Sequence, residues 1–259
     1  MEIRWETFSV PTAATQKPGA VFCRDLLPGE VQGVRTELVR ITGPSHVTVQ
    51  GEATVYVVLL GLAGAGTVSA DGESFHISPE SVVRLPLGKS HGLNVQAGGK
   101  LHCLRISKSI DADDIAEVAT NAKLHSDFYA RTFLDCPVYN EDIKSAKTVN
   151  RMLLDEGMVP RFCMGTVETT GPDSVDGHCH RMLDQLFLGL RGCRCTVRAD
   201  GSEAMLSENC LLHIPLGSNH SVSVDEGQIL RYVWLDFFGS LEGQSYMSSQ
   251  HNIQPDEDN

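Results

Sequence analysis

Two copies of one module make up most of the sequence, and this internal repeat limits the fold more than any other feature. Residues 41–72 resemble residues 169–201, and the likeness continues between residues 77–95 and 206–224. Short motifs recur at matching places in the two copies, namely Thr42-Gly43-Pro44 and Thr170-Gly171-Pro172, Pro86-Leu87-Gly88 and Pro215-Leu216-Gly217, and His91 and His220. Since the matches keep nearly one register, we expect the chain of 259 residues to contain two domains of the same fold.

The turn signals within each module predict short strands. Apolar runs such as TVYVVLLGL and CLLHIPLG are separated at close spacing by Asp-Gly, Pro and Gly. That arrangement is typical of an all-β sandwich or barrel. Between the modules, residues 109–157 show helical spacing instead, with Asp113, Asp114 and Glu141 near the expected helix starts. We therefore predict an all-β chain of two tandem barrels with a short helical connector.

The composition argues against a nucleic-acid or membrane partner. The formal net charge is −12, and a field of this sign repels phosphate backbones. No stretch approaches the roughly 20 apolar residues of a membrane span, and the start MEIRWETFSV lacks the pattern of a secretory signal. We expect a cytoplasmic protein whose eight cysteines are reduced and mostly structural.

The stretch GHCHRMLDQ, which begins at Gly177, suggests a metal site. Alternate residues of a β-strand face the same way, so His178 and His180 would share one face. Further along the chain, Gly217 permits a sharp turn just before His220. Three converging imidazoles with an open position would suit zinc, iron, copper, nickel or manganese.

The spacing of these residues resembles that of the cupin superfamily, whose small β-barrels carry two short motifs. In the first motif His178-x-His180 is followed by four residues, Gln185, six residues and Gly192. The residues of the second motif are Pro215, Gly217 and His220. Together with the repeat, the resemblance implies a bicupin of no identified subfamily, with two double-stranded β-helix (jelly-roll) barrels.

The resemblance and the repeat also imply domain boundaries. We expect an N-terminal barrel over residues 1–108, the helical connector over 109–157, a metal-binding C-terminal barrel over 158–245, and an acidic tail over 246–259. Bicupins often pair through their sheets, so a homodimer is also expected.

Gln185 departs from the first cupin motif, in which a glutamate occupies this place. The amide oxygen can serve as a fourth ligand beside the three histidines, or the side chain can hold a ligand or the substrate without touching the metal. Asp184 is a rival carboxylate, but strand alternation would turn it away if Gln185 faces inward. The predicted metal ligands are therefore His178, His180, Gln185 and His220.

The N-terminal module lacks this pattern. In the repeat register, the counterparts of His178, His180 and Gln185 are Gln50, Glu52 and Val57, and only His220 keeps its counterpart, His91. We expect the N-terminal barrel to bind no metal and to have a structural role.

Tyr232 and Trp234 share one face of the last predicted strand. That face could line the cavity of the barrel, but ordinary core packing is the preferred interpretation.

A ligand set of three neutral imidazoles and a neutral amide leaves the full charge on a divalent metal, which favours a small anionic substrate. Cupins with three-histidine iron sites include dioxygenases that cleave carbon–carbon bonds of small organic anions. The resemblance therefore implies a non-haem Fe(II) dioxygenase. An oxygen-independent lyase, isomerase or hydrolase using Zn, Mn or Ni stays open, as does a non-catalytic protein that binds a small ligand.

Overall fold

The protein is described by a computed structural model that covers residues 2–10, 17–180, 182–244 and 254–255. It consists of two compact units, and each is nearly all β, as the sequence predicts. The N-terminal unit comprises Val10–Asp135, and the C-terminal unit comprises Met1–Ser9 together with Cys136–Asn259. Most of the predicted tail over residues 246–259 lies outside the described residues. Among the described residues, no helix combines the length and the apolar character needed to cross a membrane.

The first strand, β1 (Arg4–Thr7), belongs to the C-terminal unit, and the N-terminal unit begins with the second strand. The strands of the N-terminal unit are β2 (Val21–Leu26), β3 (Val34–Thr42), β4 (Ser45–Val49), β5 (Val55–Gly64), β6 (Gly66–Ala70), β7 (Glu73–Ile77), β8 (Ser81–Arg84), β9 (His91–Val95), β10 (Lys100–Ser109) and β11 (Tyr129–Thr132). Its helices are α1 (Ala112–Thr120), α2 (Ala122–Ser126) and a 3-10 turn, Phe133–Asp135.

The C-terminal unit repeats this series of strands. Its strands after β1 are β12 (Val138–Asn140), β13 (Val149–Val159), β14 (Phe162–Thr170), β15 (Asp173–Cys179), β16 (Leu183–Gly189), β17 (Arg194–Ala199), β18 (Ser202–Ser207), β19 (Cys210–Ile214), β20 (Asn219–Val224), β21 (Ile229–Phe238) and β22 (Gln254–Pro255).

Strand order is the same in the two units, which is the structural form of the sequence repeat. The N-terminal unit contains the orders β8-β5-β10-β3 and β4-β9-β6-β7, and the C-terminal unit contains β19-β16-β21-β14 and β15-β20-β17-β18. Each pair of sheets encloses a hydrophobic core, because alternate residues of every strand face inward. The predicted class, two tandem jelly-roll barrels, is therefore confirmed.

The first strand, β1, does not belong to the N-terminal barrel, which was predicted to begin at residue 1. Strand β1 pairs antiparallel with β19, so residues 1–9 fold with the C-terminal unit rather than with the barrel predicted over residues 1–108. Ile3 is buried in the core of the C-terminal unit, and β1 covers an edge of the larger sheet that would otherwise be unpaired.

Helices occupy only the first part of the span predicted as a helical connector, residues 109–157, because α1 and α2 extend only to Ser126 and are followed by β11, β12 and β13. Helix α1 starts after the N-cap Asp111, whose side chain accepts hydrogen bonds from the backbone N–H groups of Asp113 and Asp114. No helix begins at Glu141, since β12, a turn and β13 occupy that region. The register of β13 shifts twice along β14, and such irregular pairing obscures the two-residue alternation by which a strand is recognised.

Candidate metal centre

Three histidines meet at one end of the smaller sheet in the C-terminal unit. His178 in β15 is the direct cross-strand partner of His220 in β20, and His180 follows immediately after β15. One ring nitrogen from each lies within 4.8 Å of the corresponding atoms of the other two, a grouping that can hold a metal ion. The ring centroids of His178 and His220 are 4.3 Å apart, and His180 lies 4.8 Å and 5.4 Å from them.

A β-bulge in β15 places His178 on the cavity side. Val175 pairs with Val222 and His178 pairs with His220, so β15 has one more residue than β20 between these pairs. Without the bulge, strict alternation from Val175 would turn His178 to the opposite face. The extra residue therefore brings a valine pair and a histidine pair to the same wall of the cavity.

Backbone carbonyl groups fix the orientation of two of the imidazoles. Nδ1 of His178 lies 2.9 Å from the carbonyl oxygen of Asp176, and Nδ1 of His220 lies 3.2 Å from that of Ser218. Because a carbonyl oxygen only accepts, both Nδ1 atoms carry the proton, and the lone pair is on Nε2 in each ring. Metal-binding histidines are commonly oriented in this way.

Burial keeps His220 in the neutral form that a metal ligand needs. The side chain is almost fully enclosed, and burial, together with the neighbouring His178, lowers the pKa of His220 to about 4. The turn before it is built as the sequence indicates, with Gly217 at a φ of 75° and the N–H of Ser218 donating to the carbonyl oxygen of Pro215.

Gln185 faces the same cavity from β16, and its cross-strand partner in β21 is Asp236. The amide Nε2 donates a hydrogen bond of 2.9 Å to Oδ1 of Asp236. Oε1 is buried and has no hydrogen-bond partner among the described residues. Burial, reinforced by Glu141 and Glu156 and opposed by the hydrogen bond from Gln185, raises the pKa of Asp236 to about 7.

Asp184 is turned away from the metal centre, as strand alternation predicts. Its Oδ1 lies 3.2 Å from Nε2 of His213 and accepts a hydrogen bond of 3.0 Å from the backbone N–H of Leu216. His213 is buried and has a hydrogen-bonding partner in Asp184. Neither residue is among those that line the cavity.

The remaining walls of the cavity are largely apolar. Phe187 and Tyr232 pack with ring centroids 4.6 Å apart, and Phe187 also lies against His220 at 6.3 Å. Tyr232 belongs to the hydrophobic core and lines the cavity as well, and Trp234 lines the cavity beside it. Tyr232 and Trp234, which the sequence assigned mainly to core packing, therefore both pack in the core and line the cavity. The cavity has a volume of about 100 Å³, which suits a small molecule.

A buried ion pair lines the cavity in a region that the sequence did not indicate. Nζ of Lys144 lies 3.0 Å from a carboxylate oxygen of Glu141 and donates a hydrogen bond of 3.1 Å to Oδ1 of Asn150. Burial lowers the pKa of Lys144, and Glu141 opposes that change. Both residues lie between β12 and β13, where a helix was expected, so no sequence signal connected them with the cavity.

Asp236 was also missed, although a signal for it existed. The strand that contains Tyr232 and Trp234 alternates, and its next residue on the same face is Asp236.

The N-terminal unit offers a comparison within the same chain. His91 pairs with Val49, so the structural counterpart of His178 is Val49 rather than Gln50, and the difference of one residue arises from the bulge in β15. The counterparts of Gln185 and Asp236 are Val57 and Ser107, which also pair across strands. Among the described residues of this unit, no group of three histidine, cysteine or carboxylate side chains meets in the manner of the triad.

The donor set in the C-terminal unit fits a divalent transition metal. It offers three imidazoles, two of which have the protonated nitrogen directed at a carbonyl group, and a buried amide oxygen that lacks a partner. An unsatisfied buried acceptor costs about 1–3 kcal/mol, and a bound cation would remove that cost.

No protein-family model matches the sequence, and no curated protein sequence matches it. Solved structures do match the fold. A cupin 2 conserved barrel domain protein from Leptotrichia buccalis is similar with 16% identity and a TM-score of 0.59, over 87% of this chain and 92% of that one.

Two further structures show the same likeness. The protein Ylba from E. coli has 11% identity and a TM-score of 0.64, over 91% of this chain and 90% of its own. A mutant of the oxalate decarboxylase OxdC from Bacillus subtilis has 12% identity and a TM-score of 0.60, over 91% of this chain and 76% of its own. At these identities the likeness shows that the chain has the cupin fold.

Proposed function

We propose that the protein is a metal-dependent enzyme that acts on a small organic anion in the cavity of the C-terminal unit. The observation that carries this proposal is the histidine triad on the wall of a small, mostly apolar cavity. The imidazoles and the amide of Gln185 are neutral, so a divalent metal held by them keeps its charge for an anionic partner. When bound, the metal would supply a Lewis-acid centre that polarises the substrate.

The side chains of the cavity have separate roles in this proposal. His178, His180 and His220 would hold the metal, and the packed rings of Phe187 and Tyr232 exclude water from the wall beside His220. A drier cavity strengthens the electrostatic attraction between the site and an anion. Its small volume restricts the substrate to a compact molecule.

The finer proposal is a non-haem Fe(II) dioxygenase. Its support is the neutral donor set, which resembles that of three-histidine cupin dioxygenases, and the apolar wall formed by Phe187, Tyr232 and Trp234. Aromatic ring surfaces of this kind can pack against an aromatic or enolic substrate.

A second candidate is an oxygen-independent lyase, isomerase or hydrolase. The specific observation in its favour is the ion pair between Glu141 and Lys144, because groups of this kind can hold or deliver a proton at the cavity wall. The fold is also similar to that of an oxalate decarboxylase, whose name describes the removal of CO2 from a small anion.

One experiment separates these candidates. Protein is loaded anaerobically with Fe(II), or with Mn(II) or Zn(II), and is then screened against small organic acids with and without oxygen. The dioxygenase proposal predicts oxygen consumption that requires both substrate and Fe(II), whereas the second candidate predicts product without oxygen. The variant His220→Ala is the control and should be inactive in either case. Metal-loaded wild-type protein that binds such acids without converting them would contradict both proposals and indicate a binding protein.

A further inference from the structure

We propose that Asp236 is a positioning residue of the metal centre and acts through Gln185. In this arrangement its carboxylate holds the amide in one orientation, so that the amide oxygen is the atom presented as a ligand. When ionised, the carboxylate also places a negative charge on the NH2 side of the amide, opposite that oxygen. The inference rests on the proposed metal site and adds a residue that no sequence motif marks.

The register of the strands brings the two side chains together. Gln185 in β16 and Asp236 in β21 are direct cross-strand partners, so they project from the same face of the sheet. The bond from Nε2 of Gln185 to Oδ1 of Asp236 is 2.9 Å long. In its ionised form, which is populated above a pKa of about 7, the carboxylate only accepts hydrogen bonds, so it selects the NH2 end of the amide and turns the oxygen end away from itself.

The amide oxygen Oε1 of Gln185 is buried without a hydrogen-bond partner among the described residues, which is unfavourable unless it binds a cation or a hydrogen-bond donor. Gln185 as a whole is only 6% exposed. A side chain held by Asp236 cannot turn its amide to satisfy this oxygen without breaking the bond from Nε2. A cation beside Oε1 would resolve the conflict, and the histidine triad lines the same cavity.

The repeat supports treating the two residues as one functional unit. At the equivalent place in the N-terminal unit, the cross-strand pair is Val57 and Ser107, which has neither amide nor carboxylate. That unit also has Val49 in the place of His178. The amide–carboxylate pair therefore occurs in the barrel that has the triad and is replaced in the barrel that lacks it.

The electrostatic consequence follows from the hydrogen bond. A carboxylate that accepts from the NH2 group polarises the amide and makes its oxygen more negative, and hydrogen bonds in a low-dielectric site strengthen one another in this way. The metal would then have a neutral ligand set, while a negative charge remains nearby to stabilise the cation.

The test measures Zn(II) affinity by competition with a chelator, and the Co(II) absorption spectrum as a probe of the ligand set. The variants are Asp236→Leu, Asp236→Asn, Gln185→Leu and the double variant Gln185→Leu/Asp236→Leu. Asp184→Asn is the matched control, because this neighbouring carboxylate contacts His213 and Leu216 instead. Melting of the metal-free proteins shows whether each variant is folded.

We expect Asp236→Leu to weaken Zn(II) binding about tenfold to a hundredfold, the range found for partners that orient metal ligands, and to change the Co(II) spectrum. Asp236→Asn keeps an acceptor for Nε2 and should lose less affinity. In the Gln185→Leu background, Asp236→Leu should change the affinity by less than about twofold, because the amide through which it acts is gone.

Two results would overturn the proposed role of Asp236 without contradicting the metal site. One is wild-type Zn(II) affinity in Asp236→Leu, and the other is an equal loss of affinity in the wild-type and Gln185→Leu backgrounds. If Asp236→Leu does not fold, Asp236→Asn decides by the same comparison between the two backgrounds. Failure of the wild-type protein to bind Zn(II) or Co(II) would instead overturn the metal site itself, and the proposed function with it.

Discussion

At the scale of single residues, Asp236 makes the stability of the metal-free protein depend on pH. Burial raises its pKa to about 7 from an ordinary value of 3.8, so between these pH values the folded chain binds more protons than the unfolded chain. The free energy of unfolding should therefore fall as the pH rises through this window, and the contribution of Asp236 is on the order of 2 to 4 kcal/mol.

The variant Asp236→Asn removes this titration. We predict that the melting temperature of metal-free Asp236→Asn decreases less between pH 5 and pH 8 than that of the metal-free wild-type protein. Equal decreases in the two proteins would show that Asp236 titrates in its ordinary range.

The sequence predicted those site residues that belong to motifs of fixed spacing. His178, His180 and His220 come together as expected, and alternation correctly directs Gln185 inward and Asp184 outward. Alternation from Tyr232 and Trp234 also turns Asp236 inward, but its pairing with Gln185 could not be assigned from the sequence. That register between β16 and β21 is set by tertiary pairing rather than by local sequence.

At the scale of elements, a glycine in β14 makes room for the indole of Trp234 in the cavity wall. Gly165 and Trp234 are cross-strand partners, and a Cβ atom at Gly165 would lie 2.5 Å from Cζ2 of the indole and 2.6 Å from the carbonyl oxygen of Arg151. Both distances are too short, and the second involves backbone, so the strand cannot simply move aside.

We predict that Gly165→Ala lowers the free energy of unfolding by about 1–3 kcal/mol and displaces the indole. The chain has 2 tryptophans, so the substitution is made in a Trp5→Phe background, in which the emission reports Trp234 alone. Unchanged emission and an unchanged melting temperature relative to Trp5→Phe would contradict the assigned packing.

Elements with regular patterns were predictable, and irregular ones were not. The strands of both barrels follow from short apolar runs and turn residues, and α1 follows from its acidic first turn. The bulge in β15 and the shifts of register along β13 were not foreseen, because an extra residue in a strand breaks the period by which strands are recognised.

At the scale of the whole chain, the first residues complete the unit that contains the metal centre. β1 pairs with β19, and Ile3 is buried in the same core as Phe187 and Tyr232. We predict that removal of residues 2–9 destabilises the C-terminal unit, because the edge of β19 and part of this core become exposed.

Hydrogen exchange measured by mass spectrometry tests this prediction. Faster exchange is expected in β19 and β16 of the shortened chain, whereas β8 and β5, their counterparts in the N-terminal unit, should exchange at the wild-type rate. Equal acceleration in both units, or in neither, would contradict the assignment of β1.

The repeat made the two barrels predictable, because each copy contains a complete series of strands. The place of β1 was not predictable, since a four-residue strand outside the repeat carries no signal for its partner. Its partner is set by tertiary pairing with the edge strand β19 rather than by local sequence.

The metal content of the purified protein and of three histidine variants tests the central claim most directly. We predict about one divalent transition metal per chain in the wild-type protein and in His91→Ala, and almost none in His178→Ala or His220→Ala. His91 is the matched control, because it occupies the place of His220 in the N-terminal unit and pairs with Val49 rather than with a histidine. Metal retained in full by His178→Ala or His220→Ala, or a wild-type protein without metal, would contradict the account.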